Sequence, residues 1–297
     1  MASSPNAPTP PGEDRGPTAR RIVLGTHLRR LREQAGIKRS DAAYSIRGSD
    51  SKMSRLESGK VGFKPRDVED LLTMYGIGDE AEREQVVAMA ADSNESGWWA
   101  RYTDVVPGWF EDFVGLEASA SRILSYELLF VPGLLQTESY ARATVSGGRP
   151  DLSPADRDAV EKRLEVRMRR QRILHRKDAP TFWVVLDEAV LHRPVGGPGV
   201  LGAQIDHLLE LSALPNVIIQ LLPWDLSGYA AEHAFAMLRF AEPELPDLVY
   251  LEELTGATYL DKRADVELYG RSMDRLMVDA LNPERSKQFL SKLGSET

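Results

Sequence analysis

Cysteine is absent from the 297-residue chain, which excludes a disulfide scaffold, a thiolate metal or iron-sulfur site and a cysteine nucleophile, and fits a reducing compartment. Long apolar runs are missing as well. No stretch approaches the roughly 20 residues of a membrane helix, and Met1 to Thr18 lacks the apolar core of a secretory signal. A cytoplasmic protein with no membrane partner is therefore expected. His27, His175, His192, His207 and His233 are scattered, with no H-E-x-x-H or comparable ligand spacing, so neither a metal nor a cofactor is expected. No Walker A or G-x-G-x-x-G motif follows a predicted strand. Gly196-Gly197-Pro198-Gly199 stands before a helix and makes a flexible corner rather than a phosphate cradle.

Charge is plentiful but divided. The formal total of −8 comes from 37 basic and 45 acidic side chains. From Arg15 to Arg66 there are 14 Lys and Arg against four acids (Glu33, Asp41, Asp50, Glu57), so this segment carries 14 − 4 = +10 and the remainder −8 − 10 = −18. A basic head gains affinity for nucleic acid by displacing counterions from phosphates, so the partition suggests a DNA-binding head on an acidic body.

The chain has four expected parts. Met1 to Thr18, rich in Pro, Ser, Ala and Thr, is a disordered arm because it cannot bury enough surface to offset its ordering entropy. Residues 19–92 form a helical DNA-binding domain. Leu24, Leu28 and Leu31 share one face of a helix that stops near Gly36. Short helices follow over Arg39 to Ile46, with Ala42, Ala43 and Ile46 inward, and over Asp50 to Ser58, with Met53 and Leu56 inward. Gly48 breaks the chain between them and Ser49 is the N-cap. Two more run from Pro65 to Tyr75 and from Asp79 to Ala91. Residues 93–115 are an aromatic-rich linker, whose Trp98, Trp99, Tyr102, Trp109, Phe110 and Phe113 point to a buried anchor between domains.

Residues 116–297 mix both periods and predict an α+β domain, a mixed sheet with helices. Helices are expected at Leu116 to Glu127, Glu138 to Ser146, Pro154 to Arg176, Val200 to Ala213, Lys262 to Leu281 and Pro283 to Lys292. Strands are expected at Phe182 to Leu186, Val217 to Leu221, Phe235 to Phe240, Leu248 to Glu252 and Ala257 to Leu260. The arginines of the Val160 to Arg176 helix (Arg163, Arg167, Arg169, Arg170, Arg172) suggest a solvated face paired with the acidic body. Trp224 and Tyr229, in a loop between two strands with His233 at its rim, are the candidate ligand pocket. Asp187 and Glu188 lack a nearby base, nucleophile or metal, so no enzyme is expected.

Two short helices across a tight turn, the second capped and polar outward, are the unit that places a recognition helix in the DNA major groove. Arg55 has the fork for guanine O6 and N7; Ser51 and Ser54 can reach base edges or phosphates; Asp50 can accept from cytosine N4 or simply favour the helix N-terminus. Lys38, Arg39, Lys52, Lys60 and Lys64 bracket the unit as phosphate contacts, and Ser49 joins the same surface. One head covers a half-site, so a homodimer on two half-sites of double-stranded DNA is expected.

The segment LGTHLRRLREQAGIKRSDAAYSI followed by SKMSRLESGK, within Gly25 to Ile77, resembles XRE-type, phage-repressor-like helix-turn-helix domains, most closely over Ser54 to Lys60. The resemblance implies that Arg32 and Glu57 form a partly buried lock on the recognition helix. It departs at Lys38-Arg39-Ser40, where the family usually opens its second helix with Ser or Thr, Gln and Glu; Arg39 would replace the amide's phosphate contact with a cationic one. Trp98 to Ala143, RMRRQRIL and the HRPVGG turn are similar to the uncharacterised C-terminal domain of WhiJ-like actinobacterial regulators. That likeness implies a transcriptional regulator whose C-terminal domain senses a ligand, dimerises or binds a partner, often a small protein encoded nearby. The alternative is a protein-interaction module, antitoxin-like or scaffold, with little DNA specificity.

Overall fold

The computed structural model describes residues 17–147, 149, 151–225 and 231–296. Most of the expected arm and the candidate-pocket residue Tyr229 lie outside the described residues, while Pro17 and Thr18 already belong to the first helix. By backbone proximity the chain divides into two units. The first comprises residues 1–100, 114–119 and 241–245; the second comprises 101–113, 120–240 and 246–297.

The first unit is helical: α1 (Pro17–Gln34), α2 (Arg39–Ser45), α3 (Asp50–Glu57), α4 (Pro65–Met74) and α5 (Glu80–Ser93), then a 3-10 turn at Trp98–Tyr102. The apolar stripes read from sequence meet in one core, where Leu24, Leu28, Ala42, Met53, Leu56, Val68, Leu71 and Leu72 are buried. Helix α1 runs against the C-terminus of α3 at two glycines. A Cβ on Gly25 would sit 2.5 Å from the Leu56 carbonyl oxygen, and one on Gly59, at φ +69°, would sit 2.6 Å from the Ile22 nitrogen. Only glycine permits that approach and that left-handed turn. The polar stretch after α5 is more than a linker. The Asn94 side chain donates through Nδ2 to the Phe63 carbonyl and accepts from the Phe63 N–H at Oδ1 (3.1 Å), fixing the loop before α4.

The second unit is built on a six-stranded sheet of order β3-β2-β1-β4-β5-β6. It starts with α6 (Gly108–Ser119), whose last six residues are grouped with the first unit, and β1 (Arg122–Glu127). Next come α7 (Glu138–Val145), α8 (Pro154–Arg170), β2 (Thr181–Asp187), α9 (Ala189–His192), α10 (Pro198–Leu211) and β3 (Val217–Leu222). Strands β4 (Phe235–Arg239), β5 (Leu248–Glu253) and β6 (Gly256–Leu260) precede α11 (Arg263–Asp279) and α12 (Pro283–Glu296). Strands β1, β2 and β3 are parallel, and β4 reverses direction beside β1 to begin an antiparallel series. The mixed α+β class thus matches the sequence reading.

One expected element changes type, and the short α9 was not expected. The helix expected over Leu116 to Glu127 ends at Ser119, and the rest is central strand β1. Its Ile123, Leu124, Ser125 and Tyr126 are all buried, because a central strand covered on both faces shows no alternation. The solvated arginine face is corrected at two positions, while Arg163 and Arg172 stay exposed as expected. Arg170 is 8% exposed, with its guanidinium over the Phe110 and Phe113 rings, and Arg167 is walled in by Gln136 and Thr144.

In the first unit His27 is fully buried on α1, with Nδ1 2.9 Å from Arg30 Nη2. Burial, helped by the Arg30 charge, pulls its pKa down to about 4 from 6.5. Between pH 6.5 and 4 the unfolded chain takes up a proton that native His27 refuses, so stability falls with falling pH across that window. The whole effect is roughly 3 kcal/mol. Urea unfolding of His27→Gln at pH 7.5 and pH 4.5 should show a correspondingly smaller acid loss than wild type; equal losses would remove His27 as the cause.

Candidate nucleic-acid interface

Helices α2 and α3 are joined by Ile46-Arg47-Gly48-Ser49. Sequence reasoning put the break at Gly48, but the left-handed residue is Arg47, at φ +51°. The Gly48 N–H closes the turn on the Ala43 carbonyl at 2.8 Å. A non-glycine residue in this region costs roughly 1 to 2 kcal/mol, which the surrounding packing must offset. Ser49 caps α3, its hydroxyl accepting from the Lys52 N–H at 3.1 Å. Lys38, at the start of α2, makes no side-chain cap.

Met53 and Leu56 turn inward, leaving Asp50, Ser51 and Arg55 exposed and Ser54 half-buried on the other face of α3. The orientation of that face is fixed from behind. Arg32 Nε donates to Glu57 Oε1 at 2.6 Å and Nη2 to Oε2 at 3.1 Å, while Nη1 donates to the Ile37 carbonyl at 2.9 Å. Both partners are 8% exposed. The hydrogen bond to Glu57 raises the Arg32 pKa, with burial opposing. Tyr75 belongs to the same buried group: burial pushes its phenol up, with Glu57 adding and Arg32 opposing.

The cations expected at phosphates fall into two sets. Arg39 is held by Asp50 through Nε–Oδ1 at 2.9 Å and Nη2–Oδ2 at 2.6 Å, and Lys52 is held by Asp67 at 2.8 Å. That bond to Arg39 keeps the Asp50 carboxyl below its ordinary range. Lys38, Arg55, Lys60 and Lys64 are exposed and make no side-chain hydrogen bond or ion pair among the described residues. Arg47 belongs with them, and the sequence reading missed it. Tyr44, 86% exposed at the end of α2, was missed too, although a large aromatic just after the inward Ala42 and Ala43 was the available signal.

The second unit's candidate residues lie elsewhere. Trp224 is 60% exposed, its ring 4.5 Å from that of His192 and its backbone N–H donating to Glu188 Oε2 at 3.0 Å. No hydrogen bond or ring contact joins Trp224 to the exposed His233 among the described residues. Asp187 accepts from the Ala189 N–H at the start of α9, and Glu188 bonds His192 at 3.0 Å one turn on. Among the described residues no cluster of three metal-ligating side chains occurs, and no helix is long and apolar enough to cross a membrane.

A family model described as a helix-turn-helix domain matches residues 23–86. A second, described as a domain of unknown function (DUF5753), matches residues 110–292, more than half of the chain. Neither a curated protein nor a solved structure matches it. The helix-turn-helix match suggests DNA as a partner.

The Arg32–Glu57 pair yields a stability prediction. Glu57→Ala leaves a buried guanidinium uncompensated and should cost about 3 to 5 kcal/mol in urea unfolding. Replacing both partners, as Arg32→Met with Glu57→Leu, should recover much of that loss. A Glu57→Ala loss under about 1 kcal/mol would show that the pair does not hold α3.

Proposed function

We propose that this chain, which belongs to the family of the domain of unknown function DUF5753 and carries a helix-turn-helix domain ahead of that region, is a sequence-specific DNA-binding transcriptional regulator. The observation that carries the reading is the outward face of α3. There Arg55 stands exposed with no partner among the described residues, beside Ser51 and Ser54, on a helix locked from behind by Arg32 and Glu57. An unpaired guanidinium on a rigid helix is suited to guanine O6 and N7. Lys38, Arg47, Lys60 and Lys64 supply phosphate contacts that set its register. The head has XRE-type character in this reading, and a single head reads one half-site, so the protein works as a cytoplasmic homodimer on paired half-sites. The second unit serves sensing, dimerisation or partner binding rather than catalysis. Its exposed Leu129 (53%), Phe130 (41%) and Trp224 (60%) favour a role in binding a partner, such as a small protein, and keep the interaction-module alternative in view.

Arg39 and Asp50 refine the division of labour. With both carboxylate oxygens engaged by Arg39, Asp50 shields one cation from phosphates, and each oxygen keeps a lone pair for a base amino group.

Selection of bound sequences from random DNA, followed by binding measurements on the selected site, tests the reading. Arg55→Ala should cost about 1 to 3 kcal/mol on that site and flatten preference at one base pair. Unchanged affinity and preference would remove Arg55 from base reading, and failure to select any sequence would favour the interaction module. Salt titration separates the cations. Lys60→Ala should weaken all sequences alike and lower the salt slope by about one, whereas Asp50→Ala, by freeing Arg39, should raise it by about one. Opposite signs would reverse those assignments.

A further inference from the structure

The two edges of the sheet are finished differently. At the β3 edge the Leu221 N–H donates to Ser286 Oγ of α12 at 3.0 Å, and the Leu221 carbonyl accepts from the Leu281 N–H at 2.8 Å. That edge is closed by the chain itself. At the other stands β6, whose only strand neighbour is β5.

The hairpin register fixes which groups of β6 look outward. Glu253 and Gly256 pair across the two-residue turn Leu254-Thr255, and a turn that short makes them a hydrogen-bonded pair. Bonding alternates from there. Gly256, Thr258 and Leu260 bond to β5, while the N–H and C=O groups of Ala257 and Tyr259 point away from it. None of these outward groups meets a partner among the described residues. An open edge of this kind is a template for another strand, and proteins that keep it single blunt it with proline or charge. Gly256-Ala257-Thr258-Tyr259-Leu260 carries neither.

The strand is also complementary to itself. Laid antiparallel about a two-fold axis at Thr258, it sets Ala257 against Tyr259 of a second copy and Tyr259 against that copy's Ala257. Each of these pairs exchanges its outward N–H and C=O groups in full. Thr258 then faces its own counterpart, a favourable cross-strand pair, and Gly256 faces Leu260. On both faces of the joined sheet a small residue meets a large one, and no charge opposes a like charge within the strand. The Tyr259 hydroxyl donates to the Trp109 carbonyl and its ring lies 5.2 Å from that of Tyr250, which holds the strand in place. Leu254, fully exposed at the turn, falls in this register opposite Lys262 of the second copy, whose aliphatic stem can cover it.

We propose that β6 is the surface through which two copies of this chain associate, edge to edge, into one continuous sheet. The proposal rests on the homodimer reading above and places the contact in the second unit rather than in the helical head. A second copy is the occupant because the open groups and the side chains of β6 match those of β6 itself.

Sedimentation velocity of the full chain over a range of concentrations tests it. Wild type should associate to a dimer. Ala257→Pro removes one outward N–H from each copy and leaves every bond to β5, so it should weaken the dimer roughly tenfold or more while the far-UV circular dichroism stays that of the folded protein. Thr258→Lys sets two ammonium groups against each other at the axis and should weaken it likewise. Thr258→Cys, in a chain with no other cysteine, should give a covalent dimer on oxidation, because the facing Cα atoms lie about 4.5 Å apart, within disulfide reach. A wild type that stays monomeric at every concentration would overturn the proposal. So would a dimer that persists unweakened in both Ala257→Pro and Thr258→Lys, or a Thr258→Cys chain that does not cross-link. These readouts need no DNA: a chain that dimerises through β6 yet selects no DNA sequence would count against the regulator reading and for this one.

Discussion

The Arg32 guanidinium, gripping Glu57 with two hydrogen bonds and the Ile37 carbonyl with a third, ties the end of α1 to the end of α3 and to the turn before α2. Every feature of the outward face depends on that link. Helix α3 has only eight residues and little intrinsic stability, so its direction comes from what holds its buried side. The pair is buried at a place where Gly25 and Gly59 let α1 approach the α3 backbone to contact distance. A larger residue at either glycine would separate the helices and expose the charges. The ion pair specifies one arrangement of the helices, and the glycines make that arrangement sterically possible.

With the buried side fixed, the head's surplus positive charge is sorted by geometry. Acids at the starts of α3 and α4 take up Arg39 and Lys52, while Arg47, Arg55 and Lys60 pair with no acid among the described residues. A surface used for reading sequence gains from this arrangement, because a cation already satisfied internally adds less to indiscriminate phosphate attraction. Arg47 also occupies the left-handed position of the turn, so its charge is presented from backbone that glycine would hold with less strain.

The second unit follows a different constraint. Strand β1 is the common neighbour of a parallel run and an antiparallel run, and it carries a serine and a glutamate among otherwise apolar interior residues. Polar groups at such depth need partners, and these two find them in each other, Ser125 Oγ donating to Glu127 Oε1. Arg167 and Arg170 show the same economy. A helix that looks from its composition like a charged surface element turns two of its arginines inward, one to neutral acceptors and one onto aromatic rings.

Much of the head was legible in its sequence. Leu24-Leu28-Leu31, Ala42-Ala43 and Met53-Leu56 lie at helical spacing, and turn and cap residues punctuate them, so local chemistry alone places α1 to α3 and the exposed face of α3. The body was legible as mixed α and β, and five of its strands were set off by their own turn signals. Strand β1 was not, because residues buried on both faces carry no period to distinguish strand from helix. The partners of Arg39, Lys52 and Arg167 were not legible either. Their neighbours lie 11, 15 and at least 23 residues away in the chain, and nothing in a residue's type says which distant group the fold will bring to it. The sequence by itself determined the helical head, its basic charge and the polar outer face of its third helix, since each depends on periodicity and composition. Which cations of the head are held by an acid, and which arginines of α8 turn inward, was decided only by tertiary structure, because both depend on residues that meet through the packing of separate elements.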